Sequence, residues 1–390
     1  MVGNTALRAR LSTAQAALAA EGLGALICQQ PENLVMLAGY WPVIGRSALL
    51  LPADSEPVLL APEMERDALA RTFINDVRTF PVWKLGDPSP EESLARGLRD
   101  VIAARGLSGL TVGVEQDPDE DLTPTQKVLE PWYPALPTER LLSSLGIKPV
   151  DASALLRRLR ARKTAAELQR LRVASEIAAF GIRAFYKAVD DGRSEAAIAA
   201  EVEHTILTRG VGYKGTLYAR GQALVFSGAE RLFRVGWGFA PPTERRLARG
   251  DFVMLELSTV ADGYYSDLTR MATVGPPSAR QLELLEAVRA AQQAALSAIR
   301  PGVTGHVVDR AARGVLDARG LGSSFLHITG HGLGFRYHEA VPLLAPGADD
   351  PLTEGMVTSV EPGVYAPEFG GVRIEDNVVV TATGAELLSS

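Results

Sequence analysis

A chain of 390 residues, 46% hydrophobic and with a formal net charge of −6, can bury a large core, and its length predicts two domains rather than one. The acidic balance and the absence of a long basic stretch argue against a nucleic-acid-binding face or a patch for anionic membranes. A single cysteine, Cys28, excludes an internal disulfide, and its apolar setting in GALICQQ predicts a core thiol in a reducing compartment.

The first segment, residues 5–22, has helical apolar spacing with charges interspersed. It contains no apolar run long enough for a signal peptide or a membrane span, so a cytoplasmic protein is expected. Three strand-like runs follow, ALICQQ, SALLLPA and PVLLAPE, then a helix over about 91–105 and the strand TVGVEQ, which together predict an α/β domain. The densest basic cluster, RRLRAR at 157–162, is expected to be the solvated face of a helix. From about 152 a charged, Ala- and Leu-rich stretch predicts one or two helices that start a second unit, giving domains 1–155 and 156–390. Beyond 210, strands separated by glycine alternate with amphipathic helices at 279–299 and 304–319, an α+β pattern.

Five candidate metal ligands lie in that second half, Glu256, Asp267, His331, Glu361 and Glu375, each beside a glycine or in a strand-like run. Glu256 and Asp267 are eleven residues apart across the turn ADG, a spacing that allows a hairpin to bring both carboxylates to one of its ends. On that segment alone they are equally the polar positions of an alternating strand. In HITGHGLGFRYHEA three of the five histidines of the chain, His327, His331 and His338, fall within twelve residues. Glycines on both sides of His331 allow close backbone approach, and its imidazole suits a first-row metal. His327 and His338 read either as substrate hydrogen-bond partners and proton carriers or as satisfied core histidines. Glu361 in SVEPGVY and Glu375 in GVRIEDN sit in apolar β-like runs where an unpaired charge would be costly. Four carboxylates in one pocket carry a charge that two divalent ions cancel, and such a pair supports metal-assisted hydrolysis. A donor set of carboxylates and one imidazole accepts Mn²⁺, Co²⁺, Fe²⁺ or Zn²⁺; Mn²⁺ is the ion expected.

The segments DGYYSDLTR, GHGLGF with YHEA behind it, VEPGVY and GVRIEDN, taken in order, resemble the motif series of the pita-bread metallopeptidases. This group includes Xaa-Pro aminopeptidases, prolidases, methionine aminopeptidases and creatinases. The early segment ENLVMLAGYWP is similar to the creatinase-type N-terminal domain, so the resemblance covers most of the chain. It implies a pita-bread α+β catalytic domain behind an α/β N-terminal domain, and metal-dependent cleavage of Xaa-Pro bonds in dipeptides or at peptide N-termini. It further implies that Asp267, His331, Glu361 and Glu375 are ligands, with Asp267 and Glu375 bridging and Glu361 also serving as general base. His338 matches a histidine near the scissile bond, and His327 a second pocket histidine. Arg373 matches the arginine beside the prolyl pocket, and Tyr365 a wall residue. A homodimer is implied as well, in which the segment near Asn33, Tyr40 and Trp41 closes the partner's active site.

Two departures from the resemblance stand out. The first ligand position is normally aspartate and is here Glu256, one methylene longer, which alters the spacing of the site or removes an ion. The substrate-side histidine usual before the catalytic strands is absent from AERLFRVGWGFAPPTERRLARGD; Arg231 and Arg234 lie in that segment and read as surface residues rather than substitutes. These departures leave open a creatinase-like hydrolase or lyase with one metal or none, and a silent peptide-binding homologue.

Overall fold

The computed structural model describes residues 4–44, 46–82, 85–116, 137–236, 238 and 240–389. The described residues form two compact units, one of residues 4–116 and 137–160, the other of residues 161–389.

In the first unit the elements run α1 (Asn4–Ala20), β1 (Ala25–Cys28), α2 (Pro31–Ala38), β2 (Ala48–Pro52), β3 (Val58–Pro62), α3 (Arg66–Leu69), β4 (Asp76–Phe80), α4 (Pro90–Ala104), β5 (Thr111–Val114), α5 (Glu139–Ser143) and β6 (Lys148–Asp151). Helix α6 (Ser153–Ala161) ends the unit. The strands make one mixed sheet in the order β4-β3-β2-β1-β5-β6. β1, β2 and β3 are buried along their whole length, as expected of strands covered on both faces. The start of α4 follows from local chemistry: Ser89 and Glu92 close a capping box and Pro90 occupies the first turn, satisfying backbone N–H groups that a helix start leaves unpaired.

The sequence reading of this unit needs one correction. Arg160, in the basic cluster, is not on a solvated face; it is buried and donates to Asn33 Oδ1 at 2.7 Å, because a guanidinium with a fixed acceptor can be taken into the interior. Asn33 also donates to Glu115 Oε1 at 2.6 Å, and Tyr40 shares a 3.0 Å hydrogen bond with Ser47. Both Asn33 and Tyr40 are fully buried, whereas Trp41 beside them is partly exposed. Cys28 is a core thiol as expected, buried in β1 and pushed up in pKa by that burial and by Glu115.

The second unit carries α7 (Ala165–Ala188), α8 (Glu195–Gly210), β7 (Ala219–Ser227), α9 (Ala229–Val235), β8 (Phe252–Ala261), β9 (Tyr264–Thr273), α10 (Ala279–Ala298) and α11 (Gly305–Ala318). It continues with β10 (Gly330–Gly332), β11 (Glu339–Leu344), β12 (Val357–Val360), β13 (Gly363–Ala366), β14 (Gly370–Arg373), β15 (Asp376–Val380) and β16 (Ala385–Leu387). β7, β8 and β9 form an antiparallel meander, β11-β10-β12-β15-β16 a second sheet, and β13 and β14 a separate hairpin. Thr164 with Glu167, and Ser278 with Gln281, cap α7 and α10 by the same reciprocal device as α4.

Alternation along β8 decides which way its carboxylate points. Val253, Leu255 and Leu257 pack in one core with residues of α7 and α8, whereas Met254 joins a different core with residues of α10, α11 and β12. Glu256 shares the Met254 face and therefore points between the layers. No described helix is long and apolar enough to cross a membrane.

A buried ion pair ties the entrance of α7 to the histidine-rich segment. Lys163 Nζ lies 2.6 Å from Glu339 Oε2, with side-chain exposures of 0% and 4%, and Glu339 Oε1 accepts from the backbone N–H of Phe335. Loss of one partner strands the other charge, so Lys163→Met is expected to lower stability by about 3–5 kcal/mol. Adding Glu339→Gln, which keeps an acceptor for Phe335, should recover most of the loss in urea denaturation; a double variant no more stable than the single one would contradict the pairing.

Candidate metal centre

Asp262 and Gly263, with φ of 50° and 84°, make the two-residue turn between β8 and β9, the left-handed geometry that Asp-Gly favours in hairpins. In the resulting register Glu256 faces Thr269 and Ser258 faces Asp267. The two carboxylates are therefore diagonal neighbours on one face, in the middle of ten-residue strands and not at an end of the hairpin as the spacing suggested. The turn lies too far along the sheet for that, and the pleat alone brings them together.

The other residues arrive from the second sheet and from the β13–β14 hairpin. His331 is the central residue of β10. A Cβ on Gly330 would sit 2.0 Å from Ser359 O and one on Gly332 2.4 Å from Val341 O, so only glycine lets the neighbouring strands close around this histidine. His331 Nδ1 lies 2.9 Å from Gly332 O and so carries the hydrogen, which leaves Nε2 facing Asp267 Oδ2 at 3.5 Å and Glu361 Oε1 at 3.3 Å. Orientation of one imidazole nitrogen by a backbone carbonyl is how metal-ligating histidines are commonly held. Ser359 Oγ accepts from His331 N and stands 3.0 Å from Glu361 Oε1. Glu375 enters between β14 and β15, its N–H donating to Thr269 O. Asn377, two residues on, clamps the backbone of Asp267 from both sides, accepting from its N–H and donating to its carbonyl.

Suitable donor atoms of Asp267, His331 and His338, of His331, Glu361 and Glu375, and of Glu256, Asp267 and Glu375 lie within 4.8 Å of one another in each group. The five ligands proposed from sequence are thus brought into one cluster, with His338 beside it. His338 is half-buried, its ring 4.2 Å from that of His331.

Hydrogen bonding divides the cluster. Glu375 Oε1 is buried without a hydrogen-bond partner, a costly state for a carboxylate oxygen unless a cation is supplied. That orphaned oxygen, the inward-facing Nε2 of His331 and the adjacent oxygens of Asp267 and Glu361 fit a hard divalent ion. Glu256 is engaged differently: Arg373 Nη2 donates to its Oε2 at 2.5 Å, Thr269 Oγ1 lies 2.5 Å from the same oxygen, and the Tyr337 hydroxyl lies 2.7 Å from Oε1. The same hydroxyl is 2.8 Å from Asp267 Oδ1. Neither Tyr337 nor Thr269 figures among the sequence candidates. Tyr337 is adjacent to His338 in an aromatic-polar run and carries no signal that its ring turns inward; Thr269 is identifiable only once the β8–β9 register places it opposite Glu256.

Arg373 and Tyr365 are both buried and belong to one chain of hydrogen bonds. Arg373 Nη1 donates to Tyr365 Oη at 3.1 Å, and Tyr365 Oη is 3.0 Å from His327 Nε2. His327 Nδ1 lies 2.8 Å from Ile328 O and must donate there, so Nε2 accepts from the tyrosine. Burial holds the His327 imidazole below its ordinary pKa, which agrees with this neutral tautomer. Arg373 is set inside because Glu256 needs a buried cation, a need that its extra methylene does not remove. Arg231 donates to Glu195 Oε1 and Pro241 O, and Arg234 to Glu230 on the surface; neither replaces the absent substrate-side histidine.

Residues 169–382 match the model of metallopeptidase family M24, and residues 10–162 that of the creatinase/prolidase N-terminal domain. The chain belongs to metallopeptidase family M24. Within the family it is 32% identical to the probable dipeptidase PepE of Mycobacterium tuberculosis over 96% of this chain and 92% of that one. It is 37% identical to the Xaa-Pro dipeptidase of Lactobacillus helveticus over 60% of this chain and 61% of that one. Among solved structures, dipeptidase PepE from Mycobacterium ulcerans superposes with a TM-score of 0.76 at 33% identity, covering 99% of this chain and 96% of that one. The prolidase from Pyrococcus horikoshii does so with 0.76 at 25% identity, covering 98% of each. The fold of this M24 member is accordingly the pita-bread fold behind a creatinase-type N-terminal domain, and its chemistry is that of a divalent-metal peptidase.

The metal-free cluster carries its own counter-charge. Burial opposes an imidazolium at His331, yet the Asp267 and Glu361 carboxylates outweigh it and push the pKa up to about 10. Burial and the neighbouring Glu256 push Asp267 up to about 7. A divalent ion at Nε2 has to expel the histidine proton, so protons compete with metal over the whole range below about pH 10. Affinity should therefore rise with pH between 6.5 and 9, by up to about tenfold per unit for each proton released. Calorimetric titration with Mn²⁺ in buffers of different ionisation enthalpy reads that release directly; binding with no proton release would contradict this arrangement.

Proposed function

We propose that this protein hydrolyses the peptide bond of Xaa-Pro dipeptides with Mn²⁺ as its working ion, acting as a cytoplasmic homodimer on short proline-containing peptides. The observation that carries the reading is the half-cluster of Asp267, His331, Glu361 and Glu375, which has an unpartnered buried oxygen and an oriented imidazole nitrogen. The printed activities of the M24 relatives, dipeptidase and Xaa-Pro dipeptidase, support the substrate class. When bound, a divalent ion supplies Lewis-acid polarisation of a carbonyl and makes water more acidic.

The protein's own groups divide the remaining work. Asp267, His331, Glu361 and Glu375 hold the ion. Glu361 has 12% of its side chain exposed, against 1% for Asp267 and 2% for Glu256, so it is the carboxylate that meets incoming water, and in this reading its oxygen takes and returns the proton. His338, half-buried against His331, hydrogen-bonds the substrate near the scissile bond. His327 and Tyr365 act through Arg373 and are positioning residues.

Protein freed of metal and reloaded with Mn²⁺ should release proline from Ala-Pro and lose that activity on chelation. Turnover that survives chelation would instead favour the creatinase-like reading. Glu361→Gln, which keeps the shape but cannot take a proton, should lower kcat by about 10²–10⁴ while leaving KM within a few-fold; an unchanged kcat would remove Glu361 from proton transfer.

A further inference from the structure

The ligand series predicts a pair of ions, and Glu256, Asp267 and Glu375 make one of the groups whose donor atoms lie close enough to hold one. That position is already occupied by the chain. The Tyr337 hydroxyl oxygen lies 2.7 Å from Glu256 Oε1 and 2.8 Å from Asp267 Oδ1, midway in the space that an ion common to the two carboxylates would need. Hard divalent ions sit about 2.0–2.6 Å from carboxylate oxygens, so an ion touching both of these atoms would overlap the hydroxyl. The other oxygen of Glu256 is taken by Arg373 and Thr269, so Glu256 has no oxygen left for a metal without breaking a buried hydrogen bond.

Tyr337 also has no inexpensive way out. Its hydroxyl lies on the ring axis, so rotation about χ2 leaves the oxygen where it is and only a change of χ1 can withdraw it. That change would move a ring with 0% exposure through a close-packed interior. The segment that bears it is pinned by the Phe335 N–H on Glu339 Oε1, itself paired with Lys163. By contrast, the half of the cluster built from His331, Glu361 and Glu375 contains the orphaned Glu375 Oε1. Arg373 offsets the charge of Glu256, leaving three carboxylates for a single divalent ion.

We propose that this protein works with one divalent ion, held by Asp267, His331, Glu361 and Glu375, and that the Tyr337 hydroxyl stands in the place of a second ion between Glu256 and Asp267. The proposal rests on the metallopeptidase reading and deepens it. It makes Glu256 a hydrogen-bond acceptor of the site's frame and not a metal ligand, and Tyr337 a residue that sets metal number.

Full-length protein is stripped with chelator, loaded with excess Mn²⁺ and freed of unbound ion. Stoichiometry is then read by elemental analysis, and the electron paramagnetic resonance spectrum separates isolated Mn²⁺ from a spin-coupled pair. The wild type should retain about one ion per chain with an uncoupled signal, and Tyr337→Val, which clears the position, about two with a coupled signal. Glu256→Gln should retain one ion with a Kd changed less than about threefold. A wild-type value near two with a coupled spectrum would overturn the proposal while leaving the metallopeptidase reading intact, whereas a value near zero would overturn both. A folded Tyr337→Val that still holds one ion, or Glu256→Gln that loses it, would equally overturn the proposal. Should Tyr337→Val fail to fold, the wild type and Glu256→Gln decide the matter.

Discussion

Four carboxylates, three of them fully buried, within reach of one imidazole set the constraint on which this structure depends. Glu256, Asp267 and Glu375 have essentially no solvent contact, and charges in such surroundings must be paired, protonated or bound to metal. Each remedy is present in a different place. Arg373 serves Glu256, the His331 imidazolium serves Asp267 and Glu361 when no metal is present, and Glu375 retains an oxygen with no partner. Much of the surrounding framework, from the Asn377 clamp on Asp267 to the hydroxyl of Thr269 between Glu256 and Glu375, holds these groups at separations they would not adopt alone.

Two backbone devices bring the charges together. The pleat of β8 and β9 turns Glu256, Ser258, Asp267 and Thr269 to one face while Val253, Leu255 and Leu257 bury the other against α7 and α8. Glycine on each side of His331 then lets β10 press against its neighbours where any side chain would collide with a carbonyl. Placement on paired strands keeps the ligands within the narrow tolerances that a metal site demands, and it explains why residues more than a hundred positions apart converge without a long loop among them.

Those devices also mark what could be read in advance. Apolar alternation and the Asp-Gly turn are local signals, and the strands and helices follow them closely. The four acids of the cluster were legible because an acid in an apolar run is costly and therefore conspicuous. Partners were not legible, because pairing is decided by register and ring direction. Arg160 looks like surface charge until Asn33 is found beside it. Arg373 carries no sign of its ion pair until Glu256 is found 2.5 Å away. Tyr337 differs from any surface tyrosine only in where the turn before β11 directs its ring.

The asymmetry of the cluster bears on where substrate enters. On the Glu256 side every carboxylate oxygen is tied to a guanidinium or hydroxyl, and the chain from Arg373 through Tyr365 to His327 extends that closure into the interior. A side so fully satisfied offers a substrate no donor or acceptor without breaking a buried bond. On the other side lie Glu361, the most exposed of the site acids, and the half-buried ring of His338. The groups able to exchange protons with solvent are thus next to the unpartnered oxygen of Glu375 and the Nε2 of His331. One half of the cluster supplies rigidity and charge balance, and the other is left under-satisfied, which is the state a site must be in to bind an ion and act on a peptide.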